Sequence, residues 1–216
     1  MFASFFDGLQ SLFKRKRPEV RRWIVLDVET SGLNPHSDRL LAIAAVALDV
    51  SPDFERIAIV IGDSYEAVLK QDLPSSKDNI LVHHIGAQAQ ADGRPPIEVL
   101  EEFRAWVGNC PLLAFHSAFD EAMLNRAYAL AGLKPLHNEW LDIEPLAKIT
   151  GVNPSLRALD DWLGYFGIEC AVRHQAAADT FATAELLMRL WPYLKREGRS
   201  WPSLRNIARQ ANWIPR

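Results

Sequence analysis

The sequence predicts an α/β domain built on a mixed sheet covered by helices. Two observations predict it. Three strand-like segments follow one another across short turns, as in an antiparallel meander, and beyond them helical stretches alternate with short apolar strands. Residues 23–28 read as a buried strand. Residues 39–49 (RLLAIAAVALD) read as a second, closed by the turn-rich Ser51, Pro52 and Asp53. Residues 55–61 alternate as a third strand at an edge. Residues 62–94 are mixed, with breaks at Pro74 and over 92–96. A helix is expected over 97–107, a short buried strand over 111–115, and a helix over 117–131 closed by Gly132. A fifth strand is expected over 139–143, then helices over 155–166 and 176–190, with Pro192 ending or kinking the last.

The chain has 216 residues, 49% apolar and 24% charged, which suits one ordinary globular domain with short extensions. We read an N-terminal extension over 1–21, a main domain over 22–196 and an appended C-terminal tail over 197–216. The net charge of −3 advertises no nucleic-acid coat, yet a local basic groove is compatible with it when acidic ligands offset the sum. Cys110 and Cys170 lack ligand-like spacing and read as reduced, buried thiols in a reducing compartment. No run approaches the roughly 18 apolar residues of a membrane span, and the N-terminus does not have the order of a signal peptide. A cytoplasmic location is the expectation.

In the N-terminal extension Phe2, Phe5, Phe6, Leu9, Leu12 and Phe13 recur at helical spacing, and six basic residues follow within the nine positions 14–22. An amphipathic helix with a basic linker suits a docking helix for a partner, a phosphate-contacting arm, a membrane-surface anchor, or a helix that packs on its own domain. Residues 10–13 (QSLF) also resemble a sliding-clamp peptide, a string that amphipathic helices produce readily.

The chemistry concentrates in three segments. Asp27 and Glu29 interrupt the apolar first strand. Residues i and i+2 of a strand share a face, so both carboxylates meet at its end, repelling and poorly solvated. A divalent cation resolves both problems. The second segment, 115–120 (FHSAFD), carries Asp120; alone, Ser117 and Asp120 read as a helix-capping pair. The third is 174–179 (HQAAAD). Asp179 alone reads as a helix N-cap and His174 as a loop histidine, but the spacing lets a loop histidine face a ligand carried on the helix and accept a proton from activated water. Four carboxylates and one histidine together suit a two-metal phosphodiester hydrolase, with ions about 4 Å apart. Hard oxygen ligands favour Mg²⁺ or Mn²⁺.

These segments resemble, in order and context, the three motifs of the DEDDh branch of the DnaQ-like 3′–5′ exonucleases, the family of the proofreading epsilon subunit of bacterial DNA polymerase III. The motif D-x-E-T-T-G-L stands here as residues 27–33 (DVETSGL), H-N-x-x-F-D as residues 116–120 (HSAFD), and H-x4-D as His174 to Asp179. The resemblance covers roughly residues 22–195. It implies a ribonuclease H-like fold with a mixed five-stranded sheet, an antiparallel meander plus parallel strands, flanked by helices. It further implies that Asp27, Glu29 and Asp179 hold a first cation, that Asp27 bridges to a second, that Asp120 completes the set and that His174 is the general base. Thr30, Gly32 and Leu33 would lie against the 3′-terminal nucleotide, with Leu33 wedging at the last base. Phe119 is expected near it or in the core beneath the helix, and His83 is expected to be structural. Two positions depart from the pattern: Ala42 stands where relatives often carry an acid, and Ser117 where asparagine is usual.

The expected function is removal of nucleoside 5′-monophosphates from single-stranded 3′ ends of DNA, in proofreading or repair. RNA trimming of the oligoribonuclease type, or a non-catalytic partner-binding role in a replication complex, are the alternatives. A polymerase or clamp partner would engage the N-terminal helix.

Overall fold

The computed structural model describes residues 21–153, 155–197 and 200–211. The amphipathic segment expected over 1–20, with its basic linker, lies outside them.

Five strands form one mixed sheet: β1 (Arg22–Thr30), β2 (Leu40–Val50), β3 (Ile57–Val68), β4 (Leu112–Ala114) and β5 (Trp140–Asp142), in the order β3-β2-β1-β4-β5. β1, β2 and β3 pair antiparallel, whereas β1–β4 and β4–β5 are parallel. The expected meander and the parallel half are both present, and β3 is the expected edge. β2 is buried along almost its whole length, as a strand covered on both faces must be. That explains a run of apolar residues without alternation.

Eight helices are described. α1 (Lys77–His83) and α2 (Ala87–Ala91) lie in the segment that reads as mixed, after the end of β3, and α3 (Pro96–Val107) and α4 (Ser117–Leu130) follow. α3 and α4 cover one face of the sheet, packing Val99, Leu100, Phe103, Met123, Leu124 and Tyr128 against Ile24, Leu26 and Val28. The other face is covered by α5 (Ile143–Ile149), α6 (Leu159–Phe166), α7 (Ala176–Glu197) and α8 (Trp201–Ala211). There Trp23 and Val25 meet Leu146, Trp162, Leu187 and Leu190. The odd-numbered residues of β1 therefore face α7, and Asp27 and Glu29 continue that row.

Several boundaries differ from expectation. β3 runs to Val68, seven residues past the expected end at 61, because Tyr65 and Ala67 turn into the core beneath α3. α5 stands where no helix is expected, its start capped by the Asp142 carboxylate, which accepts the Glu144 amide at 3.0 Å. α6 begins at Leu159 rather than at 155, because the Asp161 carboxylate accepts the amides of Arg157 and Ala158 at 3.1 and 3.0 Å. These bonds take up the donors a helix start leaves open. Pro192 does not end α7, which runs on to Glu197. The ring sits on the exposed side while Trp191 and Leu194 anchor the helix in the core, and the Trp191 indole donates to the Phe54 carbonyl at 3.1 Å. Finally, residues 201–211, part of the segment expected as an appended tail, form a helix packed on the domain. α8 buries Leu204 and Ala208 in the core and sets Trp201 edge-on to Trp23, centroids 4.9 Å apart. The Trp-rich composition that reads as an appendage is a closing helix.

Candidate active site

The carboxylates collect at the C-terminal end of β1. Asp27 pairs across the ladder with Ala44, and Glu29 with Ala42. These small residues let α7 approach closely, and the Thr180 hydroxyl donates to the Ala44 carbonyl at 3.2 Å. That approach brings Asp179, in the first turn of α7, over the same face. One oxygen each of Asp27, Glu29 and Asp179 lie within 4.8 Å of one another.

Asp179 is not an N-cap, since α7 begins three residues earlier. It is buried, and its carboxylate organises the preceding loop. It accepts the His174 amide at 3.0 Å and the Cys170 thiol at 3.3 Å, and it is ion-paired with Arg173. The Arg173 guanidinium also reaches Asp160 at 2.5 Å. His174 sits in the left-handed region at φ 61°, which leaves its ring exposed while its amide is tied to the carboxylate.

Asp120 arrives from the other side. α4 starts at Ser117 with His116 as its N-cap, and no side chain caps it, so the expected Ser117–Asp120 capping pair does not form. Ser117 is itself buried at the first helical position. Asp120 instead turns its buried carboxylate to the Val28 amide and the charge of Asp27. The reason lies in the sheet. The Ile24 amide donates to the Pro111 carbonyl at 2.9 Å, so the even-numbered amides of β1 point towards β4. β4 stops at Ala114, and beyond it the Val28 amide faces Asp120 and favours its charge.

Four carboxylates so placed cannot all stay charged unaided. Burial, then the neighbouring Asp179 charge, pushes Asp27 up to about 8, with Arg173 opposing. Burial and the charges of Asp27 and Asp179 push Glu29 up to about 9. Burial and Asp27 raise Asp120 well above the carboxylate range. Crowded, desolvated carboxylate oxygens fit a hard divalent cation, which would supply the missing positive charge.

The turn after β1 is tightly determined. The Asp38 carboxylate accepts the Asn34 amide at 2.8 Å and lies against Gly32, where an added Cβ would meet it at 2.5 Å. A side chain at this position would have to displace the Asp38 carboxylate from the Asn34 amide. The Thr30 hydroxyl donates to the Gly32 carbonyl at 2.7 Å, and Leu33 stands 87% exposed. Phe119 is half-buried and leans on the core beneath α4.

Three residues at the site escape a sequence reading. Asp142, at the end of β5, accepts the amides of His116 and Glu144 at 2.9 and 3.0 Å, which fixes the turn leading to Asp120. Its position between a strand and a helix start was the available signal. Arg173 adjoins His174 but bears on Asp179, a relation that only the loop's folding creates. Asn79, 49 positions from Thr30, donates to its carbonyl at 2.9 Å, and nothing local in the sequence announces that.

Residues 24–187 match a family model described as Exonuclease. The chain is 27% identical over 194 residues to a PolC-type DNA polymerase III of Staphylococcus haemolyticus, covering 89% of this chain and 13% of that relative's length. It thus spans a small part of the curated relatives it matches. In fold it is similar to the zinc-bound form of an E. coli ExoI–ssDNA complex, with a TM-score of 0.66 and 20% identity, covering 82% of this chain and 43% of the other. It is also similar to cell-death related nuclease 4 (CRN-4), with a TM-score of 0.67 and 17% identity, covering 79% and 63% respectively.

Proposed function

We propose that this chain, which belongs to the exonuclease family, hydrolyses phosphodiester bonds at 3′ ends of nucleic acid, DNA in preference to RNA, and releases nucleoside 5′-monophosphates. The observation that carries the proposal is the convergence of Asp27, Glu29 and Asp179 within 4.8 Å, with Asp120 beside Asp27. The DNA preference draws on the relatives, a DNA polymerase III and an exonuclease solved with single-stranded DNA.

Asp27, Glu29, Asp120 and Asp179 would hold two divalent cations, Mg²⁺ or Mn²⁺. When bound, the cations neutralise the carboxylates and stabilise the charge that develops on the phosphate and the leaving oxygen. His174 accepts the proton of the attacking water; its exposed ring can pass that proton to solvent. Tying the His174 amide to Asp179 keeps the base in register with a ligand. Thr30, Gly32 and Leu33 receive the terminal nucleotide, with the exposed Leu33 side chain as an apolar surface for a base.

The test uses 5′-labelled single-stranded DNA, mismatched duplex and RNA, each with Mg²⁺, Mn²⁺ or chelator. A ladder shortening from the 3′ end, lost with chelator and with Asp27→Ala, is the expected result. Binding without cleavage under every metal condition would overturn the proposal. Faster shortening of RNA than of DNA would overturn the substrate assignment alone.

A further inference from the structure

We propose that Asn79, oriented by His83, is a positioning residue that fixes the Thr30–Ser31 peptide beneath the 3′-terminal nucleotide; this rests on the function proposed above. The ladder between β1 and β2 slips between Glu29 and Thr30, so regular pairing fails one residue after a carboxylate of the site. The peptide that follows is clamped from outside the ladder. Its carbonyl, on Thr30, accepts from the Asn79 Nδ2 at 2.9 Å, and its amide, on Ser31, donates to the Arg39 carbonyl at 2.9 Å.

An asparagine amide has two ends of similar shape, and its hydrogen-bond partners decide which end faces where. Here His83 decides. Its Nδ1 accepts the Ile85 amide at 2.9 Å, which places the ring proton on Nε2. Nε2 then donates to the Asn79 Oδ1 at 2.7 Å, turning the amide's nitrogen towards Thr30. Burial depresses the protonation of His83, so the ring stays neutral and keeps this tautomer. Behind it stands the fully buried Gln90. Its amide donates to the Ser75 hydroxyl at 2.9 Å and the Ile85 carbonyl at 2.8 Å, and it accepts the Ser75 amide at 2.9 Å. Buried groups so matched resist rearrangement, because any broken bond leaves a desolvated polar atom.

The relay ends at a turn built to meet a ligand. The Thr30 hydroxyl holds the Gly32 carbonyl, and Leu33, next along, is held almost fully in solvent. A large apolar side chain on so well determined a turn is a surface for a base. The histidine singled out as structural in the sequence thereby acts on substrate placement through Asn79.

The experiment compares the full chain with Asn79→Ala, Asn79→Asp, His83→Ala and the Asn79→Ala/His83→Ala double variant. Michaelis constants on single-stranded DNA with Mn²⁺, calorimetric affinity for thymidine 5′-monophosphate and for Mn²⁺ alone, and hydrogen exchange of the Ser31 amide are measured. Asn79→Ala is expected to raise KM and weaken the mononucleotide about tenfold, the scale of one oriented hydrogen bond, with kcat within about threefold and the Mn²⁺ affinity within about twofold. Asn79→Asp, which sets a carboxylate oxygen against the Thr30 carbonyl, should do at least as much. The double variant should lose no more than the worse single variant, because both act through one bond. Unchanged KM and mononucleotide affinity in Asn79→Ala, or additive losses in the double variant, would overturn the proposal. If the wild-type chain neither cuts nor binds a 3′ end, the exonuclease reading fails on its own, and Ser31 exchange decides the relay. Faster exchange in Asn79→Ala supports it, and unchanged exchange overturns it.

Discussion

The guanidinium of Arg173 is ion-paired with the carboxylate of Asp179, the same carboxylate that stands within 4.8 Å of Asp27 and Glu29. A side-chain cation thus occupies one corner of a site whose remaining charges call for a metal. Arg173 also holds Asp160 at 2.5 Å, so it would keep a second partner were Asp179 to ligate a cation. Arg173→Ala is therefore expected to tighten Mn²⁺ binding about tenfold, the equivalent of one pKa unit of competing charge. Calorimetric titration checks this. The same variant should melt lower than wild type in chelator, because the carboxylates lose the positive charge that opposes their repulsion.

The raised carboxylates set the pH response of the metal-free protein. Asp27 and Glu29, pushed up to about 8 and about 9, keep protons in the folded state that the unfolded chain releases near pH 4. Folding then binds protons, so stability falls as pH rises from about 4 to about 9. Divalent cations must displace those protons, and their affinity should rise over the same window. Thermal melts between pH 5 and 9, with chelator and with Mg²⁺, should slope downward in the first series and flatten in the second.

His174→Ala separates proton transfer from ligation. The ring is exposed and only its amide bonds Asp179, so the variant keeps the ligand geometry. Turnover is expected to fall about 100-fold or more, the usual weight of a general base, while Mn²⁺ affinity stays within about twofold. Loss of metal binding in calorimetry would instead make His174 a ligand.

Ala42→Glu tests the departure on β2. Ala42 is buried directly across from Glu29, on the same face. A carboxylate there adds another like charge to a crowded group. In chelator the melting temperature should drop by about 4 °C or more for a domain of this size, and Mn²⁺ should restore it. A melting temperature insensitive to the metal would show that the new side chain turns away from the site.

Much of this arrangement is legible in the sequence because it is periodic. The i, i+2 spacing of Asp27 and Glu29 fixes a shared face once the strand is recognised. The unbroken apolar run of β2 marks a strand covered on both sides. What escapes is non-periodic. The late start of α6 depends on the Asp161 carboxylate turning back on two amides, which competes with a helix-forming pattern and wins. The continuation of α7 past Pro192 depends on Trp191 and Leu194 gripping the core, a tertiary term no local rule contains. Asp120 is legible as an acid near a helix start, but its destination is not, because the amide it reaches is left over from another strand. Asn79 and Arg173 are illegible for the same reason: each acts on backbone or charge that is distant in sequence or brought near by a loop; Asp142 is legible as a helix cap, but not its hold on the distant His116 amide.

The shortness of β4 has a wider meaning. A sheet normally saturates its own ladder, and a saturated ladder offers no amide to anything else. By ending at Ala114 while β1 continues to Thr30, the parallel half leaves the Val28 amide without a strand partner, and Asp120 stands against it. An insertion of two residues that lengthened β4 would add a rung to the sheet, yet it would close that vacancy and evict the carboxylate. The carboxylate cluster is, in that sense, a missing stitch whose absence the fold has to maintain.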